Sequence, residues 1–323
     1  MRLNRTLALG ASMLVLASAC TTGGGSTSAP STSASPPPAS QSAAPTEAPK
    51  PTLRVGSAGF YESQLMAEIY AQALEAQGWT VERKLGIGAR DVLEAALKAG
   101  EIDLTPEYIG STLSFFKGQP TSDAAGTVTL LQAAYDAAGY SVTVLDPTPA
   151  QDQNGFVVRK DTADQYSLTT LSDLAKVSKD LVFGGPPECE TNPVCIPGLK
   201  ATYGIEFKEF KKLDACGSLG PTALEEKAID VAELCTTQPE IQTKGFVLLA
   251  DDKSLQPVDN LSPIVRNDYL ATTDAEAFRK VLNEVSARME TADLLKFGFR
   301  VGIDKEDVAV VAADWLKEYG FVQ

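Results

Sequence analysis

The chain has 323 residues, 42 acidic and 28 basic side chains, and no histidine, for a net charge of −14. The missing imidazole excludes Ser-His-Asp and Cys-His catalytic sets and any His-ligated metal. The acidity argues against nucleic acid, whose phosphates need clustered Lys and Arg. An apolar fraction of 44 % is too low for a polytopic membrane protein.

At the N-terminus, Arg2 and Arg5 precede an apolar run from Leu7 to Ala19. That is the pattern of a secretory signal, and the run is short for a membrane span. It ends in Leu16-Ala17-Ser18-Ala19-Cys20, which resembles a bacterial lipobox. The resemblance implies that residues 1–19 are removed and that Cys20 is acylated. The protein would then sit on the outer face of the cell membrane, held by its lipid. It would also account for the odd cysteine among five. Losing the two arginines takes the net charge from −14 to −16. From Thr21 to Thr52 there is no Val, Ile, Leu, Met or aromatic residue. Such a segment cannot bury enough apolar surface to offset its ordering entropy, so residues 20–52 read as a disordered Pro/Ser/Thr-rich tether.

The folded region begins with a short strand, Leu53 to Gly56. Apolar residues at Leu65, Met66, Ile69, Tyr70, Ala73 and Leu74 predict a helix from Glu62 to Gln77, closed by Gly78. A strand over Thr80–Arg83, a helix over Arg90–Ala99 closed by Gly100, and a strand over Ile102–Leu104 follow. Continued alternation predicts an α/β protein with parallel layers. A short internal echo supports two similar units: Ala96 to Leu104 matches Ala223 to Val231 at the Ala-Leu and Ile-Asp positions. Asp103 and Asp230 correspond in that echo and read as structural acids. Further strands are expected over Val142–Pro147, Gln151–Arg159, Phe246–Ala250 and Ser262–Arg266, with helices over Ala275–Met289 and Lys305–Tyr319. This order divides the chain into one lobe of residues 53–148 plus 250–323 and a second of 149–249. Two crossovers would form a hinge, and a ligand would sit between the lobes.

Four cysteines remain: Cys189, Cys195, Cys216 and Cys235. An exported chain meets an oxidising space, so disulfides are expected. Three pairings are possible; Cys189–Cys195 with Cys216–Cys235 is favoured, each bridge contributing roughly 2–4 kcal/mol. Zinc would want C-x2-C knuckles and redox catalysis a C-x-x-C pair. Both are absent from the sequence, so neither a metal site nor a cofactor is expected.

The most informative segment runs Gly100-Glu-Ile-Asp-Leu-Thr-Pro-Glu-Tyr-Ile-Gly-Ser111. It ends a strand and displays Glu107, Tyr108 and Ser111 at its carboxyl end, where ligands of α/β folds bind. The segment resembles the Gly-Glu-Ile-Asp-x-x-Pro-Glu-Tyr-Thr-Gly-Thr motif of substrate-binding proteins of ABC importers for glycine betaine, choline, carnitine and related osmolytes. It departs from that motif at Ile109 and Ser111. Gly56-Ser57-Ala58-Gly59-Phe60-Tyr61-Glu62, Gly88-Ala89-Arg90-Asp91-Val92, Pro187-Glu188 with Pro197-Gly198-Leu199 and Tyr203-Gly204-Ile205, and Asp230-Val231 with Thr236-Thr237-Gln238 resemble further family segments in the same order. The resemblance implies a two-lobed type II periplasmic-binding fold with two hinge crossovers. It also implies a monomer that binds a small solute, hands it to ABC permease subunits, and has no catalytic role.

In that family a quaternary ammonium sits in a tyrosine cage through cation–π attraction. Carried over position by position, Tyr108 keeps one wall and Ser111 keeps a hydroxyl. The other cage positions fall on Asn154, Cys235 and Asp259. The arginine that grips a ligand carboxylate falls on Asn192, and the first-loop lysine on Ala58. Phe60, Tyr61 and Phe156 are candidate replacement walls; Arg90, Asp152, Asn154, Asn192, Thr236, Thr237 and Gln238 are candidate polar contacts. Losing Lys and Arg argues against a carboxylate-bearing ligand and for a choline-like cation or a neutral polar solute. Two other functions compete: a sensor or adhesion lipoprotein on the same scaffold, and a hydrolase using Glu107 and Asp152, which would need carboxylates roughly 5–9 Å apart.

Overall fold

A computed structural model describes residues 50–323. The signal, Cys20 and nearly all of the expected tether lie outside the described residues. Ten strands form: β1 Leu53–Gly56, β2 Val81–Lys84, β3 Leu104–Tyr108, β4 Val142–Val144, β5 Asn154–Val158, β6 Val182–Gly185, β7 Glu209–Lys212, β8 Val231–Cys235, β9 Val247–Leu248 and β10 Leu261–Arg266. They make two five-stranded sheets of matching layout, β2-β1-β3-β10-β4 and β7-β6-β8-β5-β9.

The sheets are mixed, which corrects the expectation of purely parallel layers. β1 runs parallel to β2 and β3, and β6 parallel to β7 and β8. β10 runs antiparallel to β3 and β4, and β5 antiparallel to β8 and β9. The reason is connectivity. β5 and β10 are the strands by which the chain enters one sheet from the other, so no β-α-β crossover sets their direction. The two connecting stretches, 145–153 and 249–260, run side by side: the Asp152 amide donates to the Asp259 carbonyl at 3.2 Å, and Gln151 bridges Asn260.

Helix α1, Tyr61–Ala76, buries the predicted stripe from Leu65 to Leu74 against the first sheet and the helices Ala275–Arg288 and Val308–Glu318. Helix α2, Arg90–Ala99, ends at Gly100, whose φ of 74° closes it in the left-handed region. A Cβ there would approach the Arg266 guanidinium to 2.7 Å, so both conformation and space call for glycine. Helix α3, Ile109–Phe115, follows β3 directly. No helix of the described residues is long and apolar enough to cross a membrane.

The internal echo has a structural counterpart. β3 and β8 hold the third place in their sheets, and each is preceded by the paired aspartate. The Asp103 amide donates to the Arg54 carbonyl at 2.7 Å while its carboxylate accepts from the Arg54 amide at 3.1 Å. Asp230 does the same with Val182, at 2.8 and 3.0 Å. Each also takes a guanidinium: Arg54 and Arg266 on Asp103, Arg159 on Asp230. These acids fix strand register. Both favoured disulfides form, Cys189–Cys195 and Cys216–Cys235, each with Cα atoms 5.1 Å apart.

Candidate ligand-binding cavity

A cavity of about 300 Å³ lies between the carboxyl ends of the two sheets. The volume suits a small solute. One wall comes from the first sheet: Ala58 and Phe60 after β1, Arg90 opening α2, Glu107 and Tyr108 closing β3, and Ser111 in α3. The facing wall comes from the second: Asn154 opening β5, Glu188 and Asn192 after β6, Asp214 and Cys216 after β7, Glu233 and Cys235 in β8. Asp152 and Asp259 enter from the two connecting stretches.

On the first wall each acid has a partner. Glu107 accepts from Arg90 Nε and Nη2, both at 3.2 Å, and from Thr112 Oγ1 at 3.0 Å. Asp259 accepts from the Gly110 and Ser111 amides at 2.8 and 3.0 Å and from the Ser111 hydroxyl. Burial still pushes the Asp259 carboxyl up to about 7, against the pull of those hydrogen bonds and of Arg90. The ring of Phe60 stacks beside that of Tyr108, centroids 6.2 Å apart and planes at 30°. The Tyr108 hydroxyl donates to Glu62, whose other oxygen accepts from Thr237 Oγ1 at 2.9 Å. Glu62 is 2 % exposed, and burial raises it to about 7. It ties the two sheets' elements together behind the cavity.

The second wall is different. Asp152, 4 % exposed, accepts from Thr236 Oγ1 at 2.9 Å and the Thr237 amide at 3.0 Å. Burial, then Glu62, raises its pKa well above the usual carboxylate range. Glu233, 6 % exposed, lies against both sulfurs of the Cys189–Cys195 disulfide. Burial, then Glu188, pushes it up to about 8. Among the described residues that line the cavity there are six carboxyl groups and one basic group, Arg90.

Of the residues singled out from sequence, Phe60, Arg90, Tyr108, Ser111, Asp152, Asn154 and Asn192 line the cavity. Five others stand outside its lining. Phe156 is buried in the core of the second sheet, 6.0 Å from Phe183, because its position on β5 faces that core. Tyr61 packs on the first core. Thr236 and Thr237 are turned to Asp152 and Glu62, as above. Gln238 accepts from the Cys235 amide at 2.9 Å and donates to the Gly217 carbonyl at 3.0 Å, so it holds the loop that carries Cys216. The five positions at which the family's cage and carboxylate-gripping residues are replaced, Ala58, Asn154, Asn192, Cys235 and Asp259, line the cavity. Sequence reasoning missed Glu188, Asp214 and Glu233. For Glu233 a signal existed: it is the one charged residue in the otherwise apolar, fully buried strand Val231–Cys235.

Residues 51–318 match the profile of the substrate binding domain of ABC-type glycine betaine transport systems, OpuAC. The glycine betaine-binding protein YehZ of Escherichia coli K12 is 28 % identical over 295 residues, 86 % of this chain and 94 % of that protein. The carnitine transport binding protein OpuCC of Listeria monocytogenes is 25 % identical over 278 residues, 85 % and 89 % of the two chains. A crystal structure of a glycine betaine/carnitine/choline ABC transporter superposes with a TM-score of 0.66 at 23 % identity, covering 83 % of this chain and 99 % of that one. A choline-binding protein in complex with choline gives 0.59 at 19 % identity, covering 83 % and 89 %. At those identities the structures establish the fold, and it is the type II periplasmic-binding architecture expected from the sequence.

Proposed function

The chain belongs to the OpuAC family of solute-binding proteins of ABC transporters, and we propose that its own ligand is a small cation without a carboxylate. One observation carries this: six carboxyl groups face one basic group in the lining, and that group, Arg90, is already engaged by Glu107. A ligand carboxylate would meet Asn192 where the family pattern has arginine, and Ala58 where it has lysine. A cation instead finds carboxyl groups on both sides, whose ionised forms it would stabilise, and two ring faces, Phe60 and Tyr108.

Residues 53–148 with 250–323 form one lobe and residues 149–249 the other. They close on the solute about the paired stretches that join the sheets. The protein works outside the cell as a monomer, tethered through an acylated Cys20, and delivers its solute to permease subunits. Cys20→Ser should release it from the membrane fraction into the medium.

The test of ligand class is a thermal-shift series with choline, other small amines, glycine betaine, carnitine and a polyol. Binding to the folded state raises Tm by mass action. Cations should raise it, and the carboxylate-bearing and neutral solutes should not. A larger shift with glycine betaine than with any cation would overturn the proposal.

A further inference from the structure

We infer that the cation held here carries N–H groups, as a primary ammonium or guanidinium does, and is not a quaternary ammonium. The inference rests on the cationic reading above and narrows it.

A quaternary nitrogen has no hydrogen to donate. It is held by ring faces that surround it. Among the described lining residues there are two aromatic rings, Phe60 and Tyr108, and both belong to the first wall. They lie at 30° to each other with centroids 6.2 Å apart. They thus make one apolar face and leave the opposite side without rings.

The opposite side asks for a hydrogen-bond donor. Glu233 lines the cavity at 6 % exposure. Its carboxyl meets the two sulfurs of the Cys189–Cys195 disulfide, which have no hydrogen to give. No N–H or O–H of the described residues reaches it. A carboxyl buried without a donor is costly, and a charged N–H is the donor that best repairs it. Asp152, Glu188 and Asp214 share that side, with no Lys or Arg among its described lining residues. The fit is an amine whose alkyl stem lies on Phe60 and Tyr108 and whose N–H head points at Glu233 and Asp152. Three N-methyl groups would keep the charge and remove every donor.

The test uses matched pairs in titration calorimetry on the mature protein: ethanolamine against choline, and n-pentylammonium against n-pentyltrimethylammonium. Agmatine supplies a guanidinium, and glycine betaine and sorbitol serve as controls. Each primary amine should bind at least tenfold tighter than its trimethyl partner. Glu233→Gln should weaken the primary amines at least tenfold, leave the trimethyl forms within about twofold, and keep Tm at or above that of the wild type. If the trimethyl forms bind as tightly or more so, or if no amine binds, the inference is overturned. If glycine betaine or sorbitol binds more tightly than every cation, the cationic reading itself fails.

Discussion

The two walls of the cavity are built on sheets of the same layout and braced by the same aspartate device, yet among the described lining residues only the first carries a cation, Arg90. On the first wall, Glu107 is matched by Arg90, and Asp259 by two amides and a hydroxyl. On the second, Asp152 has only neutral donors and Glu233 has two sulfurs. A shared framework therefore says little about charge. It fixes where loops end, and the residues at those ends decide what is bound.

The strongest way to break this comparison is Arg90→Met. It leaves Glu107 buried without its cation, and breaking such a pair costs about 3–5 kcal/mol. Urea unfolding should show that loss. Cation binding should survive in the folded fraction, because the first wall's arginine does not serve the cation. Loss of binding with stability intact would erase the distinction between the walls.

Next in size, replacing Cys216 and Cys235 together by Ser should lower stability by about 3 kcal/mol. Because Cys216 and Cys235 both line the cavity, amine affinity should drop as well, measured by calorimetry at 15 °C. Unchanged affinity would make that bridge a brace and nothing more.

Asn192→Arg places a cation on the second wall. It should cost amines at least tenfold in Kd while glycine betaine gains affinity. If amines bind as before, Asn192 does not face the ligand.

The smallest effect is that of pH. Glu62 and Asp259 sit at about 7 and Glu233 at about 8, all above the ordinary range because of burial. The folded protein therefore holds protons that the unfolded chain releases near pH 4 to 4.5. Stability is fully present below that range and declines as pH rises through 7 and 8. Scanning calorimetry of the unliganded protein should show Tm falling from pH 5 to 8. Amine binding runs the other way, since a cation favours ionised Glu233 beside Glu188. Affinity should rise about fivefold from pH 6 to 8. A flat profile would show that Glu233 is not on the ligand.

The first wall was legible in sequence because it is local. Gly100 to Ser111 brings the strand end, Glu107, Tyr108 and Ser111 in twelve consecutive residues. The second wall gathers short pieces from four separate loops and strands. Its acids carry no common spacing, and Glu188 and Asp214 look like any loop acid until the fold sets them opposite Tyr108. Phe156 was misplaced for a related reason. Phe156 shares its face of β5 with Asn154, and what separates them is depth: Asn154 opens the strand at the cavity, while Phe156 lies two residues further into the core. Strand direction was likewise hidden, because β5 and β10 take theirs from where the chain arrives, not from their own residues.

The backbone bond between Asp152 and Asp259 has a mechanical consequence. Points on a pivot do not travel when the two halves swing about it; points at the rim travel farthest. If the halves close about this seam as proposed, the two acids placed at that axis would keep nearly the same relation to a bound cation in every posture of the molecule. The cation would then meet them on arrival, before any motion, and the swing would add the fit of the residues farther from the axis.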